Sequence, residues 1–173
     1  SLRSHGITSE PEKMTEESHG PWYYQQVELG FNYRMTDMQA ALGLSQLARI
    51  DEFIEKRNNL AANYNKAFHN TKITPLIPSE SCLSAYHLYL VLLPKTDACI
   101  RKKVIVALRE QGIFAHVHYI PVHLQPYYQN LGFKPGDFPY SEQYYQQVLS
   151  LPLYPNLTPK NQVHIIEQVK KLS

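Results

Sequence analysis

A chain of 173 residues, 43% hydrophobic and 18% charged, can bury one core, and its formal charge of +2 leaves no electrostatic footprint for nucleic acid or anionic lipid. Cys82 and Cys99 fit neither a metal-ligand spacing nor a disulfide framework, so a reducing cytoplasm is the default setting. The apolar run from Tyr86 to Pro94 is far short of the ~20 residues that a membrane span requires, and with no signal-type segment ahead of it the expectation is a soluble chain with no membrane partner.

The chain opens on Ser1, inside what reads as helix or turn, as a fragment would begin. Gly6, Pro11, Gly20, Pro21 and Gly30 punctuate the first thirty residues, which are expected to be mostly loop. Thr36 then starts a helix: its hydroxyl caps while Gln39, three residues on, reaches back to the cap's amide, and Asp37 adds negative charge in the first turn. Met38, Ala41, Leu42 and Leu47 give that helix an apolar side. A second amphipathic helix carries Ile50, Phe53, Ile54, Arg57, Leu60, Ala61, Tyr64 and Phe68 at three- and four-residue steps; the pattern leaves open whether it continues from the first, and a kink near Ile50 and Asp51 would separate the two faces.

Beyond Pro75 and Pro78, the run Ala85 to Leu93 predicts a buried strand. Ile100, Val104, Ala107 and Leu108 predict a helix closed by Gly112, and Ile113 to Tyr119 a second strand that stops at Pro121. Tyr144 to Leu149 is expected to be helical, and Thr158-Pro159 to begin a last helix. Of the thirteen tyrosines and twelve prolines, six and seven lie beyond Tyr119, which makes that part turn-rich and packed by rings. The order describes a small α/β (α+β) domain.

Two groups of residues carry candidate chemistry. His116, His118 and His123 surround the end of the predicted strand, where His116 and His118 share a face. Three imidazoles can bind zinc with an open fourth position, which makes a zinc hydrolase, or else a stand-alone binding domain, the rival reading. Against zinc, Ile113 to Gln129 holds no aspartate or glutamate to orient the rings or act as a general base. Hydrogen bonding within packing suits His116; a ligand-facing role suits His118 and His123, beside Tyr119 and Pro121. The second group is Gly30 to Asp37, where the amide of Asn32, the guanidinium of Arg34 and a helix N-terminus suit an anion such as phosphate. Alternatively Asn32 shapes a turn, Tyr33 packs, and Arg34 pairs with a carboxylate. No Gly-x-Ser-x-Gly occurs, and the isolated Gly112 makes no phosphate-cradling loop.

From Leu29 to Leu47 (Leu-Gly-Phe-Asn-Tyr-Arg-Met-Thr-Asp-Met-Gln-Ala-Ala-Leu-Gly-Leu-Ser-Gln-Leu) the sequence resembles the sugar aminotransferases of the DegT/DnrJ/EryC1/StrS family. The likeness continues through Tyr86 to Val91, Gly112 to His123 and Leu149 to Thr158. Within the family it looks most like the enzymes that aminate a UDP-linked 4-keto-6-deoxy-N-acetylhexosamine on the route to pseudaminic acid.

The resemblance implies the C-terminal small domain of a fold type I pyridoxal-phosphate enzyme, residues 49–173, preceded by the last loop and interface helix of the large domain, residues 1–48. It implies a homodimer that takes a UDP-sugar and glutamate as substrates. The lysine that holds the cofactor as a Schiff base lies, in the family, shortly upstream of the Ser-His-Gly-Ile segment; no lysine of this chain is assigned that role, and the chain alone is expected to be inactive. By the same resemblance the asparagine matching Asn32 reaches into the partner subunit's site to meet cofactor phosphate or substrate, with Arg34 either assisting or forming an internal ion pair. Val117, His118, Tyr119 and Ile120 line the nucleotide-sugar pocket, with His123 nearby. No metal is implied.

Overall fold

The computed structural model describes residues 1–94 and 98–172. The chain divides into two compact units, Ser1–Arg49 and Ile50–Ser173.

In the first unit two stretches of backbone run side by side. Strands β1 (Ile7–Thr8) and β2 (Gln25–Gln26) pair antiparallel. The pairing is prolonged by Val27 N–H to the Gly6 carbonyl at 2.9 Å, His5 N–H to Phe31 at 2.8 Å and Tyr33 N–H to Arg3 at 2.9 Å, with a bridge between Ser4 and Asn32. Glycine is required where the stretches touch: Gly6 has φ +70°, and a β-carbon on it would strike the backbone of Glu28, while one on Gly30 would strike the backbone of Gly6. Helix α1 (Asp37–Leu47) follows and has the anticipated cap, Thr36 Oγ1 accepting from Gln39 N–H at 3.3 Å and Gln39 Oε1 from Thr36 N–H at 3.0 Å.

The second unit begins with α2 (Ile50–Phe68), separate from α1, whose inward face of Leu60, Ala61, Tyr64 and Phe68 recurs at helical spacing. An antiparallel sheet of order β3-β4-β5 is built from Thr74–Pro75, Tyr89–Leu92 and Val148–Leu151. Tyr89 faces Leu151 and Leu92 faces Val148 across the β4–β5 register. Helices α3 (Ala98–Glu110) and α5 (Pro139–Gln147) pack together, α5 lies against β4, and α6 (Pro159–Lys171) lies against α2; the short α4 (Pro126–Asn130) follows a 3-10 turn at Val122–Leu124. Gly112, at φ +75°, turns the chain after α3 so that Ile113 N–H reaches the Leu108 carbonyl at 2.9 Å.

The core of this unit joins Tyr64, Tyr89, Val91, Leu108, Ala115, Leu149 and Val169, each 1% exposed or less. The Tyr64 and Tyr89 rings stack at 4.7 Å, and both hydroxyls are satisfied, Tyr64 donating to the Pro152 carbonyl at 2.9 Å and Tyr89 to Asn65 Oδ1 at 2.7 Å. Gln162 of α6, also buried, donates to the Leu60 carbonyl of α2 at 2.7 Å. The mixed helix and sheet fold is thus the one anticipated, and no helix is long and apolar enough to cross a membrane among the described residues.

Three expected boundaries are corrected. The strand over Ala85 to Leu93 shrinks to Tyr89–Leu92, because Tyr86 takes φ 43° and breaks extended pairing. Ile113 to Tyr119 is not a strand but an irregular segment with one bridge, His116 to Ser150. Leu149, expected at the end of a helix, is a strand residue: α5 stops at Gln147, and all four residues of β5 are buried.

Candidate functional site

The loop from Gly30 to Asp37 presents an open set of donors. Asn32, Tyr33 and Arg34 are exposed, and Phe31 and Tyr33 stack at 4.9 Å on either side of Asn32 in sequence. Arg34 Nε donates to Asn32 Oδ1 at 3.4 Å, a long bond. Neither the Asn32 amide nitrogen nor the terminal guanidinium nitrogens of Arg34 have a protein partner among the described residues. The internal carboxylate pairing left open for Arg34 is therefore not found there, and a neutral amide beside a guanidinium is the donor chemistry that an anionic phosphate takes.

In the second unit the segment from Ala115 to His123 runs along the edge of β5. His116 exchanges both backbone bonds with Ser150, N–H to carbonyl at 3.0 Å and the reverse at 2.8 Å, which fixes the segment against the sheet. Two residues on, His118 Nδ1 meets Ser150 Oγ at 2.6 Å, and Tyr144 of α5 donates its hydroxyl to the His118 carbonyl at 3.2 Å. The His118 ring lies 5.4 Å from that of His116 and edge-on to Tyr119 at 4.4 Å. Burial first, then His116 and His87, holds His118 below its ordinary value of 6.5, so its ring is neutral at pH 7. Val117 is half-buried, whereas Tyr119 is 68% and Ile120 38% exposed. The result is an apolar, uncharged strip with one fixed imidazole.

His123 goes elsewhere. It is only 7% exposed, and its Nε2 stands 2.8 Å from Glu142 Oε1, the same oxygen that accepts Gly136 N–H at 2.7 Å. Those two bonds, the His123 bond foremost, hold the Glu142 carboxyl below its ordinary value. The His123 ring also packs on Phe138 at 4.8 Å and forms, with Val122, Tyr128, Phe133, Phe138 and Ser141, the wall of a cleft of 310 Å³. With His118 turned to Ser150 and His123 to Glu142, the three histidines do not assemble a zinc site; among the described residues no group of three His, Cys, Asp or Glu side chains is placed to hold a metal. The zinc reading is not favoured.

Sequence reasoning missed three residues that brace this region. Ser150 lies thirty-two residues beyond His118, Tyr144 twenty-six beyond it, and Glu142 nineteen beyond His123. A lone polar residue inside the apolar run Val148–Leu151 was the one available signal, for Ser150; Glu142 and Tyr144 carried none.

A sequence profile of the DegT/DnrJ/EryC1/StrS aminotransferase family matches residues 1–170. The spore coat polysaccharide biosynthesis protein SpsC of Bacillus subtilis is 39% identical over 160 residues, which are 90% of this chain and 41% of that protein. The UDP-4-amino-4,6-dideoxy-N-acetyl-beta-L-altrosamine transaminase of Helicobacter pylori is 34% identical over 144 residues, 83% of this chain and 38% of that one. Among solved structures, Helicobacter pylori PseC, an aminotransferase involved in the biosynthesis of pseudoaminic acid, matches with a TM-score of 0.83 and 30% identity over 99% of this chain and 44% of its own. The chain spans about two fifths of the length of these relatives.

Proposed function

This chain belongs to the DegT/DnrJ/EryC1/StrS aminotransferase family, and from that premise we propose that the whole protein moves an amino group from glutamate to C4 of a UDP-linked 4-keto-6-deoxy sugar, in the cytoplasm, on a route to a surface glycan such as one containing pseudaminic acid. The observation that carries the substrate reading is the uncharged strip of His118, Tyr119 and Ile120, braced by Ser150 and Tyr144, in a chain that resembles a UDP-amino-sugar transaminase. An exposed ring beside a neutral imidazole suits a sugar face with its hydroxyl and acyl oxygens.

The cofactor is pyridoxal phosphate, which when bound supplies the electron sink that lets an amine pass between carbon centres. Asn32 and Arg34 would hold its phosphate, or the substrate's, through their unpaired N–H groups. Val117, His118, Tyr119 and Ile120 would receive and orient the sugar nucleotide, while His123, locked on Glu142, keeps the turn after the strip in place. In this reading residues 1–48 are the end of a large cofactor domain and 49–173 the small domain of one subunit of a homodimer. The lysine belongs to sequence outside these residues, and the 173-residue chain by itself has no transaminase activity.

The test is spectroscopic. Full-length protein loaded with pyridoxal phosphate should lose its cofactor absorbance band on addition of glutamate and regain it on addition of a UDP-linked 4-keto-6-deoxy-N-acetylhexosamine, with the amino sugar appearing by mass spectrometry. A band that glutamate leaves untouched would sink the aminotransferase reading; a band that bleaches but is not restored by the keto sugar would sink the substrate.

A further inference from the structure

The Ser150 hydroxyl is in a position that strand packing alone does not require. Its neighbours Val148, Leu149 and Leu151 face the core or its margin, Ser150 is itself 5% exposed, and its backbone is already paired with His116. The hydroxyl has one partner among the described residues, His118 Nδ1 at 2.6 Å. A buried O–H that donates nowhere is costly, so the proton of Ser150 goes to Nδ1, the acceptor within reach. That assignment places the imidazole proton on Nε2. No protein group meets Nε2 among the described residues; the ring has Tyr119 edge-on against it, and Tyr144 fixes the backbone that carries it by donating to the His118 carbonyl.

We propose that Ser150 is a positioning residue that locks His118 in one ring plane and one tautomer, so that Nε2–H is offered as a neutral donor to an acceptor oxygen of the nucleotide sugar. This rests on the function proposed above and narrows it: the strip recognises its ligand by a hydrogen bond aimed from a fixed ring. The lowered proton affinity of His118 agrees, since a ring that stays neutral at pH 7 keeps the tautomer that Ser150 selects.

The experiment uses the full-length enzyme with Ser150→Ala and Ser150→Thr. In wild type, the ring nitrogen resonances of 15N-histidine-labelled protein should place His118 in a single Nε2–H tautomer; in Ser150→Ala they should report a mixture. The KM for the UDP-linked keto sugar should rise roughly five- to tenfold in Ser150→Ala, the worth of one well-aimed hydrogen bond, and return toward wild type in Ser150→Thr, which keeps the hydroxyl. The glutamate half-reaction, which does not involve the sugar, should stay within about twofold of wild type. An unchanged tautomer in Ser150→Ala, or equal loss in both half-reactions, overturns the positioning role. A wild-type enzyme that shows the single tautomer but accepts no UDP-linked keto sugar overturns the function on which the proposal rests, and with it the ligand named here.

Discussion

His123 and Glu142, separated by nineteen residues, form one ion-pair-ready contact at 2.8 Å, and the carboxylate oxygen that makes it also receives Gly136 N–H. One side chain of α5 thereby ties the 3-10 turn after the strip and the loop before α5 to a single point. Glu142→Ala should lower the melting temperature and loosen the turn at Val122–Leu124, because it leaves a buried imidazole nitrogen without a partner; Glu142→Gln should lower it less, since an amide oxygen still accepts both bonds. The carboxyl is held below its ordinary value of 4.5, so the stability it contributes is present above that pH and is lost as pH falls through the folded value. Acid titration of the melting temperature in wild type and Glu142→Gln checks this: the variant should lack that part of the acid limb, and coincident profiles would count against the tie.

Tyr64 tests the core. It is fully buried, stacks on Tyr89 at 4.7 Å and donates to the Pro152 carbonyl at 2.9 Å, so it joins α2 to both the sheet and the segment after β5. Removing the hydroxyl in Tyr64→Phe should cost about 1 kcal/mol, and Tyr64→Ala roughly 3–5 kcal/mol through the cavity it leaves, both read by urea unfolding. Burial, then the neighbouring Tyr89, pushes the phenol above its ordinary value of 10.0. The folded state therefore keeps a proton that the unfolded chain loses, and stability should fall as pH rises past that value. Tyr64→Phe should flatten the alkaline decline.

The reciprocal cap at Thr36 and Gln39 is the clearest local device in the first unit. All of α1 but Ala40 is exposed within this chain, so its first turn depends on the cap more than on packing. Thr36→Ala should cost about 1 kcal/mol and speed hydrogen exchange at the Gln39 and Ala40 amides, whereas Thr36→Ser should leave exchange nearly unchanged.

What was legible in the sequence divides along the range of the interaction. The Thr36 cap, the α2 stripe, the glycine turn after α3 and the Thr158-Pro159 start of α6 are set by residues within a few positions of one another, and each stands where its pattern placed it. Ile113 to Tyr119 forms no strand, and the helix expected over Tyr144 to Leu149 gives way to β5 at Val148, because a short run does not declare its period and the strand that forms is decided by what β4 can pair with. The strip of His118 to Ile120 was visible as a cluster of residue types. Its brace was not, because Tyr144 lies within α5 and Ser150 beyond it, both reaching the strip only after the chain has passed through α4, just as Glu142 of α5 reaches His123. The zinc alternative is disfavoured on the same ground: His118 and His123, close in sequence, turn to different distant partners, Ser150 and Glu142.

Asn32 separates the two roles left open for it, a turn-shaping residue or a phosphate ligand. Among the described residues its side chain makes one hydrogen bond, the long Nε bond from Arg34 to Oδ1, and its backbone is already fixed by the bridge to Ser4, so little stability depends on the amide. Asn32→Asp keeps the oxygen that Arg34 uses but deletes the Nδ2–H donors and brings a negative charge to the place where an anion is proposed to sit; Asn32→Ala deletes donor and acceptor without adding charge. In full-length protein titrated with pyridoxal phosphate, Asn32→Ala should weaken retention of the cofactor or of the UDP-sugar by roughly five- to tenfold, and Asn32→Asp by more, because like charges repel in addition to the lost hydrogen bond. Added salt should narrow the gap between the two variants, since exposed charges are screened. Melting temperatures should barely move, as expected of an exposed side chain. If Asn32→Asp instead destabilises the fold while cofactor and substrate affinities stay at wild-type values, the residue shapes the turn and holds no phosphate.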